Sequence, residues 1–182
     1  MRNHFDKGLN VSKLVHDYGC KTLLELGAAE GQNTQQLVTL PINHITVVSD
    51  QTLKKADIQF TPDERFEWVE GIAHEVVPTL TRAYDFVIID TDHNGWTVAQ
   101  ELAALEKVLP NGAIVCFHDT VAFEVDGIGE KYRNGALYPL EEIKAFPTHY
   151  TAYIKQWASN HTTVAESLEW FGALAVQFRS AQ

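Results

Sequence analysis

Clusters of lysine and arginine are missing from this chain, and so is any apolar stretch long enough to cross a bilayer. The first absence matters because the formal net charge is −10, from 24 acidic against 14 basic residues. A field of that sign repels a phosphate backbone, and no basic patch offsets it, so nucleic acid is not an expected partner. The second absence argues against a membrane-spanning role. Met1–Lys7 leads into no apolar segment of the signal-peptide kind, which makes the cytoplasm the expected compartment. Cysteine is scarce: Cys20 and Cys116 both fall at or within predicted strands and read as buried free thiols, not a disulfide framework. Repeats, low-complexity tracts and linkers are lacking as well. With 182 residues, 45% hydrophobic and 21% charged, residues 1–182 have the size and balance of one globular domain.

What the chain does contain is alternation. Thr22–Leu26 is an apolar run ended by glycine, as expected for a strand buried on both faces. His44–Asp50, Phe66–Gly71, Tyr84–Asp90 and Ala113–Asp119 read as four further strands. Between them, Asn33 or Thr34 can cap a short helix carrying Leu37 and Val38. The spacing of Val98, Leu102, Leu105 and Leu109 predicts a helix over Trp96–Leu109, stopped by Pro110-Asn111-Gly112. Strand–helix–strand order with short joints implies right-handed crossovers and a doubly wound α/β sheet with the first five strands parallel.

The final third departs from that rhythm. Pro139–Asn160 reads as helix broken at Pro147, followed by strands at Thr162–Leu168 and Ala173–Phe178. Their joint is too short for a crossover, so the pair must be antiparallel. A dinucleotide-binding dehydrogenase would place another crossover helix there.

Three motifs carry chemistry. Glu25-Leu26-Gly27-Ala28-Ala29-Glu30-Gly31 is a glycine turn leaving the first strand, where Gly27 and Gly31 let the backbone approach a ligand. It has neither the G-x-G-x-x-G spacing of a pyrophosphate site nor the G-K-[ST] of a phosphate loop, which favours a nucleoside ligand without phosphates. Asp50 closes the second strand beside that turn, where a carboxylate can accept both hydroxyls of a ribose. Ile89-Asp90-Thr91-Asp92-His93 and His118-Asp119-Thr120 end the fourth and fifth strands, so Asp90, His118 and Asp119 can converge on one ion or one substrate hydroxyl. Each motif alone also has a plain structural explanation as a turn or a capping acid.

Taken in order from Thr22 to Thr120, these motifs, with Gly71-Ile72-Ala73 after the third strand, resemble the class I S-adenosylmethionine-dependent methyltransferases. The likeness is to the short bacterial branch with I-D-x-D-H and H-D-T motifs, related to sugar and antibiotic O-methyltransferases. It implies a Rossmann-like sheet of order 3-2-1-4-5-7-6. It also implies that Glu25, Gly27, Ala28 and Gly31 line the methionine part of S-adenosylmethionine, that Asp50 holds the ribose, and that Ile72 and Ala73 flank the adenine. Asp90 would face the methionine amino group or a metal. In metal-dependent members Mg2+ or another divalent cation would sit at Asp90, His118 and Asp119. Thr91 stands where the family usually has glycine, Asn94-Gly95-Trp96 replaces its Ser-Tyr, and Ile72 replaces a common acid.

Methyl transfer from a sulfonium starts with a strong leaving group, so the protein mainly positions the acceptor and makes it nucleophilic. A small hydroxyl-bearing molecule is the expected acceptor. His93 is the candidate base, since its ordinary pKa lies near neutrality, with Asp90 beside it. Val121–Tyr138, with Gly127, Gly129 and Gly135 among aromatics, suggests a lid within residues 120–139. Trp96, Trp157 and Trp170 read as core or interface residues. The other readings are a nicotinamide (NAD)-dependent oxidoreductase and a catalytically degenerate cofactor-binding scaffold. Oligomeric state is not legible here; a homodimer is compatible.

Overall fold

The structure, a computed structural model, describes residues 9–28, 31, 33–50, 63–120, 140–168 and 172–180. Seven strands form one sheet: β1 (Thr22–Leu26), β2 (His44–Ser49), β3 (Phe66–Glu70), β4 (Phe86–Ile89), β5 (Ile114–His118), β6 (Thr162–Ser167) and β7 (Ala173–Gln177). Their order is β3-β2-β1-β4-β5-β7-β6, as the family resemblance implied. The first five are parallel, and β7 runs antiparallel to both β5 and β6. The side chains of β4 and β5 are buried throughout, which explains why those two runs carry no polar alternation.

Helices cover both faces. On one side α3 (Ala73–Val76), α4 (Gly95–Leu105) and α6 (Tyr150–Ala158) pack Ala73, Val98, Leu102, Leu105, Ile154 and Trp157 onto Leu24, Val87 and Val115. On the other, α1 (Val11–Asp17) and α2 (Thr34–Leu37) set Leu14, Val15 and Leu37 against Leu23, Ile45, Ile88 and Cys116. The short α5 (Leu140–Ala145) precedes α6, with Pro147 in the break between them. Cys20 and Cys116 are buried free thiols.

Two sequence expectations are corrected. The fourth helix stops at Leu105; a turn follows, and Leu109 is buried from the loop instead of from a helical face. Asn33 occupies the position before α2 but makes no capping bond, because its side chain is engaged elsewhere. The lid expected at Val121–Tyr138, and Trp170, fall outside the residues described.

The amino ends of the parallel strands are tied by backbone-directed bonds. Asp85 accepts from the N–H groups of Lys21 and Thr22 at 2.9–3.0 Å. Arg65 donates to the carbonyls of Val38, Leu40 and Ile42 at 2.9–3.1 Å and pairs with Asp63. Between β1 and β4 the chain reverses its direction of winding, so their carboxyl ends flank a crevice. The candidate site lies there.

Candidate active site

Gly27 is the hinge of the crevice. Its φ is +80°, and a Cβ there would lie 2.8 Å from the Cα of Thr91 and closer still to the Asp90 carbonyl oxygen. Only glycine lets the exit of β1 pass so near the exit of β4. Its N–H donates to the Val48 carbonyl at 2.9 Å, and the Asp90 N–H donates to the Leu26 carbonyl at 2.9 Å. The turn is thereby fixed to both neighbouring strands. It continues through Ala28, which is buried and whose carbonyl accepts from the Gly31 N–H at 2.7 Å.

Glu25, one residue before the end of β1, was expected to line a ligand. In this structure its carboxyl is wholly buried and accepts from the Thr34 hydroxyl at 2.6 Å. Burial raises its pKa to about 8 against the opposing Thr34 bond, so the side chain braces α2 against β1 from beneath the turn. The other oxygen, Oε1, has no hydrogen-bond partner among the described residues. Asp50 follows directly on β2, at the same carboxyl edge as Gly27. Ile72 and Ala73 open α3 one strand further out, with Ala73 buried. The ring of His74 meets Trp96 edge-on at 5.4 Å in the space between α3 and α4.

Across the crevice, four side chains converge. His118 Nδ1 lies 2.8 Å from Asp119 Oδ1 and 3.4 Å from Asp90 Oδ1. His93 Nε2 lies 3.1 Å from Asp119 Oδ2 and 3.5 Å from Asp90 Oδ1. One potential ligand atom from each of the four falls within 4.8 Å of all the others. The expected trio of Asp90, His118 and Asp119 is therefore brought together, and His93 joins it.

Local structure explains the convergence. Asp119 adopts a left-handed φ of +58° just past β5, which returns its carboxylate beside His118. Asn94 accepts from the Thr97 N–H at 2.8 Å as the cap of α4, holding the loop that carries His93. The unusual Asn94-Gly95-Trp96 sequence is thus a helix start.

The electrostatics follow from the pairing. Burial opposes charge on Asp90, but His118 and His93 outweigh it and hold its carboxyl well below the usual range. Asp119 is lowered for the same reason. Burial likewise works against the imidazoles, yet the two carboxylates raise His93 to about 9 and His118 to about 10. Without an ion, the cluster is a neutral quartet of two cations and two anions at pH 7.

Three supporting contacts escaped the sequence reading. Asn33 Nδ2 donates to Asp90 Oδ2 at 2.7 Å. The Tyr150 hydroxyl, from α6, donates to the His118 carbonyl at 2.8 Å, and its ring meets His93 edge-on at 5.2 Å. Thr91, where the family resemblance led one to expect glycine, donates to Glu101 Oε2 at 2.9 Å. Glu101 is 1% exposed, and burial lifts its carboxyl to about 8 despite the Thr91 bond. Its signal was present: an acid among Val98, Leu102 and Leu105 on a helix face that otherwise packs into the core.

A family model described as "Methyltransferase domain" matches residues 17–120, more than half of the chain and every motif named above. The chain belongs to this methyltransferase-domain family. No curated protein sequence matches it. Among solved structures, the methyltransferase is similar to a protein assigned as a caffeoyl-CoA O-methyltransferase from Staphylococcus aureus. That likeness has a TM-score of 0.66 and 17% identity over 98% of this chain and 84% of that one. It is similar as well to the O-methyltransferase TomG from Streptomyces achromogenes, solved with S-adenosylmethionine. There the TM-score is 0.60 and identity 16%, over 93% of this chain and 78% of that one. MycE of mycinamycin biosynthesis, solved with Mg, S-adenosylhomocysteine and mycinamycin VI, gives 0.61 and 14%, over 93% of this chain and 48% of that one. At such identities the likeness is one of fold.

Proposed function

We propose that this methyltransferase moves the methyl group of S-adenosylmethionine to the oxygen of a small hydroxyl-bearing acceptor, with a divalent cation held by Asp90, His93, His118 and Asp119. The observation that carries the reading is the shared crevice. A glycine turn that tolerates no Cβ, the acid after β2 and the His/Asp quartet all stand at the carboxyl edge of the sheet around the β1–β4 switch point. Structural relatives solved with S-adenosylmethionine, or with Mg and S-adenosylhomocysteine, agree with it.

The residues present fit both groups. Gly27, Ala28 and Gly31 leave backbone room for the methionine portion, Asp50 accepts the ribose hydroxyls, and Ile72 and Ala73 offer an apolar wall for adenine. Glu25 acts through the turn it braces. Two carboxylates and two imidazoles supply the charge and donors that a dication needs. When bound, the sulfonium supplies an activated methyl group and the cation lowers the pKa of a hydroxyl near it. The protein's own contribution is positioning: Asp90 touches the glycine turn through its backbone and the other three members of the quartet through its side chain, so it fixes the acceptor side of the crevice against the cofactor side.

Calorimetric titration tests this directly. S-Adenosylmethionine and S-adenosylhomocysteine should bind and NAD should not, and Asp50→Ala should weaken both sulfur nucleosides. Methylation across a panel of small hydroxyl acceptors should fall when a chelator is present. Binding of NAD in place of the sulfur nucleosides would overturn the proposal, and cofactor binding without turnover on any acceptor would favour a scaffold.

A further inference from the structure

Half of the donors in the quartet are nitrogen. His93 reaches it through Nε2 and His118 through Nδ1, facing oxygens of Asp90 and Asp119. We infer that His93 is a metal ligand, not a base standing apart, and that the ion this site selects is a first-row transition dication in preference to Mg2+. The inference rests on the reading that the quartet holds a cation.

Three observations carry it. The first is spacing. Bonds of about 2.1 Å to nitrogen and oxygen place neighbouring donors about 3.4 Å apart in a four-coordinate shell. His118 Nδ1 and His93 Nε2 lie 3.4 and 3.5 Å from the same Asp90 oxygen, Oδ1, and 2.8 and 3.1 Å from Oδ1 and Oδ2 of Asp119 respectively, so one oxygen of each carboxylate could join both imidazoles around an ion with small side-chain adjustments. The second is donor type. Mg2+ is hard, keeps several waters and favours oxygen, whereas imidazole suits zinc, iron and nickel. The third is orientation from outside. Asn33 takes Oδ2 of Asp90 and leaves Oδ1 facing both histidines. Tyr150 fixes the His118 backbone and meets the His93 ring edge-on. Such outer contacts aim ligands at a metal.

Cobalt(II) is the probe. Metal-stripped full-length protein, titrated with Co2+, should take up one equivalent, develop visible ligand-field absorption and show two strongly shifted imidazole N–H resonances. Competition should show a preference for Co2+ over Mg2+ of about 100-fold or more. His93→Gln should remove one shifted resonance and weaken Co2+ at least about tenfold. His118→Glu, which exchanges a nitrogen donor for oxygen, should narrow the Co2+/Mg2+ ratio by a similar factor. Circular dichroism confirms that each variant is folded, and the wild-type spectra decide the matter if one is not. Co2+ uptake without shifted imidazole signals, displacement by equimolar Mg2+, or no uptake at all would each overturn the inference. Calorimetry with S-adenosylhomocysteine on the same samples reports separately on the methyltransferase reading, whose failure leaves the cobalt signals to be judged by themselves.

Discussion

Asn33 reaches across 2.7 Å to donate its side-chain amide to Oδ2 of Asp90, joining the turn after β1 to the end of β4. A residue placed to cap α2 instead steers the carboxylate at the centre of the crevice. Asn33→Ala should therefore leave α2 little changed, since no capping bond is lost. Cation affinity should drop about tenfold, and stability by about 2 kcal/mol, the contribution of one hydrogen bond to a charged group. Metal titration and thermal melting of the same variant measure the two effects.

Gly27→Ala should be far more damaging than its single methyl group suggests. The new Cβ would strain a left-handed backbone and strike the Asp90 carbonyl. We expect a loss of about 1–3 kcal/mol or more in stability. S-Adenosylhomocysteine affinity should fall by at least tenfold wherever the variant folds, because opening this contact moves the turn away from β4. Chemical denaturation and calorimetry provide the readouts; near-normal binding would show that the turn does not shape the cofactor site.

Much of this was legible beforehand because it is local. The runs Phe86–Ile89 and Ile114–His118 are buried on both faces and announce themselves as strands, and the short joint before β7 dictates an antiparallel pair. Asp90, His118 and Asp119 were visible because they stand at strand ends. Asn33, Tyr150 and Glu101 were not, because each acts on the site from 10 to 57 residues away in sequence. The length of α4 was overestimated because Leu109 keeps helical spacing while packing from a turn.

The metal-free protein should have an unusual pH profile. His93 and His118 have raised folded-state pKa values, about 9 and about 10, so their stabilising contribution is complete below their unfolded value of about 6.5. It is lost as pH climbs through the folded values. Asp90 and Asp119 are depressed, so theirs is present above about pH 4 and lost as pH falls further. For this cluster, stability should peak between about pH 4 and pH 6.5. Cation binding must displace the imidazole protons, so metal affinity should increase with pH and the binding heat should vary with the buffer's ionisation enthalpy. Melting curves with and without chelator, and calorimetry in two buffers, check both signs.

Glu101→Gln should stabilise the protein selectively in alkali. The buried carboxyl has a folded pKa of about 8, above its ordinary 4.5, so its contribution is full below that ordinary value and disappears as pH rises through 8. A neutral amide keeps a partner for Thr91 without that titration. The variant should melt several degrees above wild type at pH 9 and close to it at pH 5. An identical shift at both values would assign the effect to packing.

The bonds made by Arg65 and Asp85 lie at the opposite rim of the sheet from the crevice, separated from it by the length of the strands. Part of the scaffold's robustness is consequently housed at the end away from its reactive groups. Substitutions around Arg65 or Asp85 can tune how much heat this protein withstands while its chemistry stays as it was, and the crevice can diversify toward new acceptors without loosening the clasp at the far end. A lineage built on this plan is free to explore substrates and climates as separate problems.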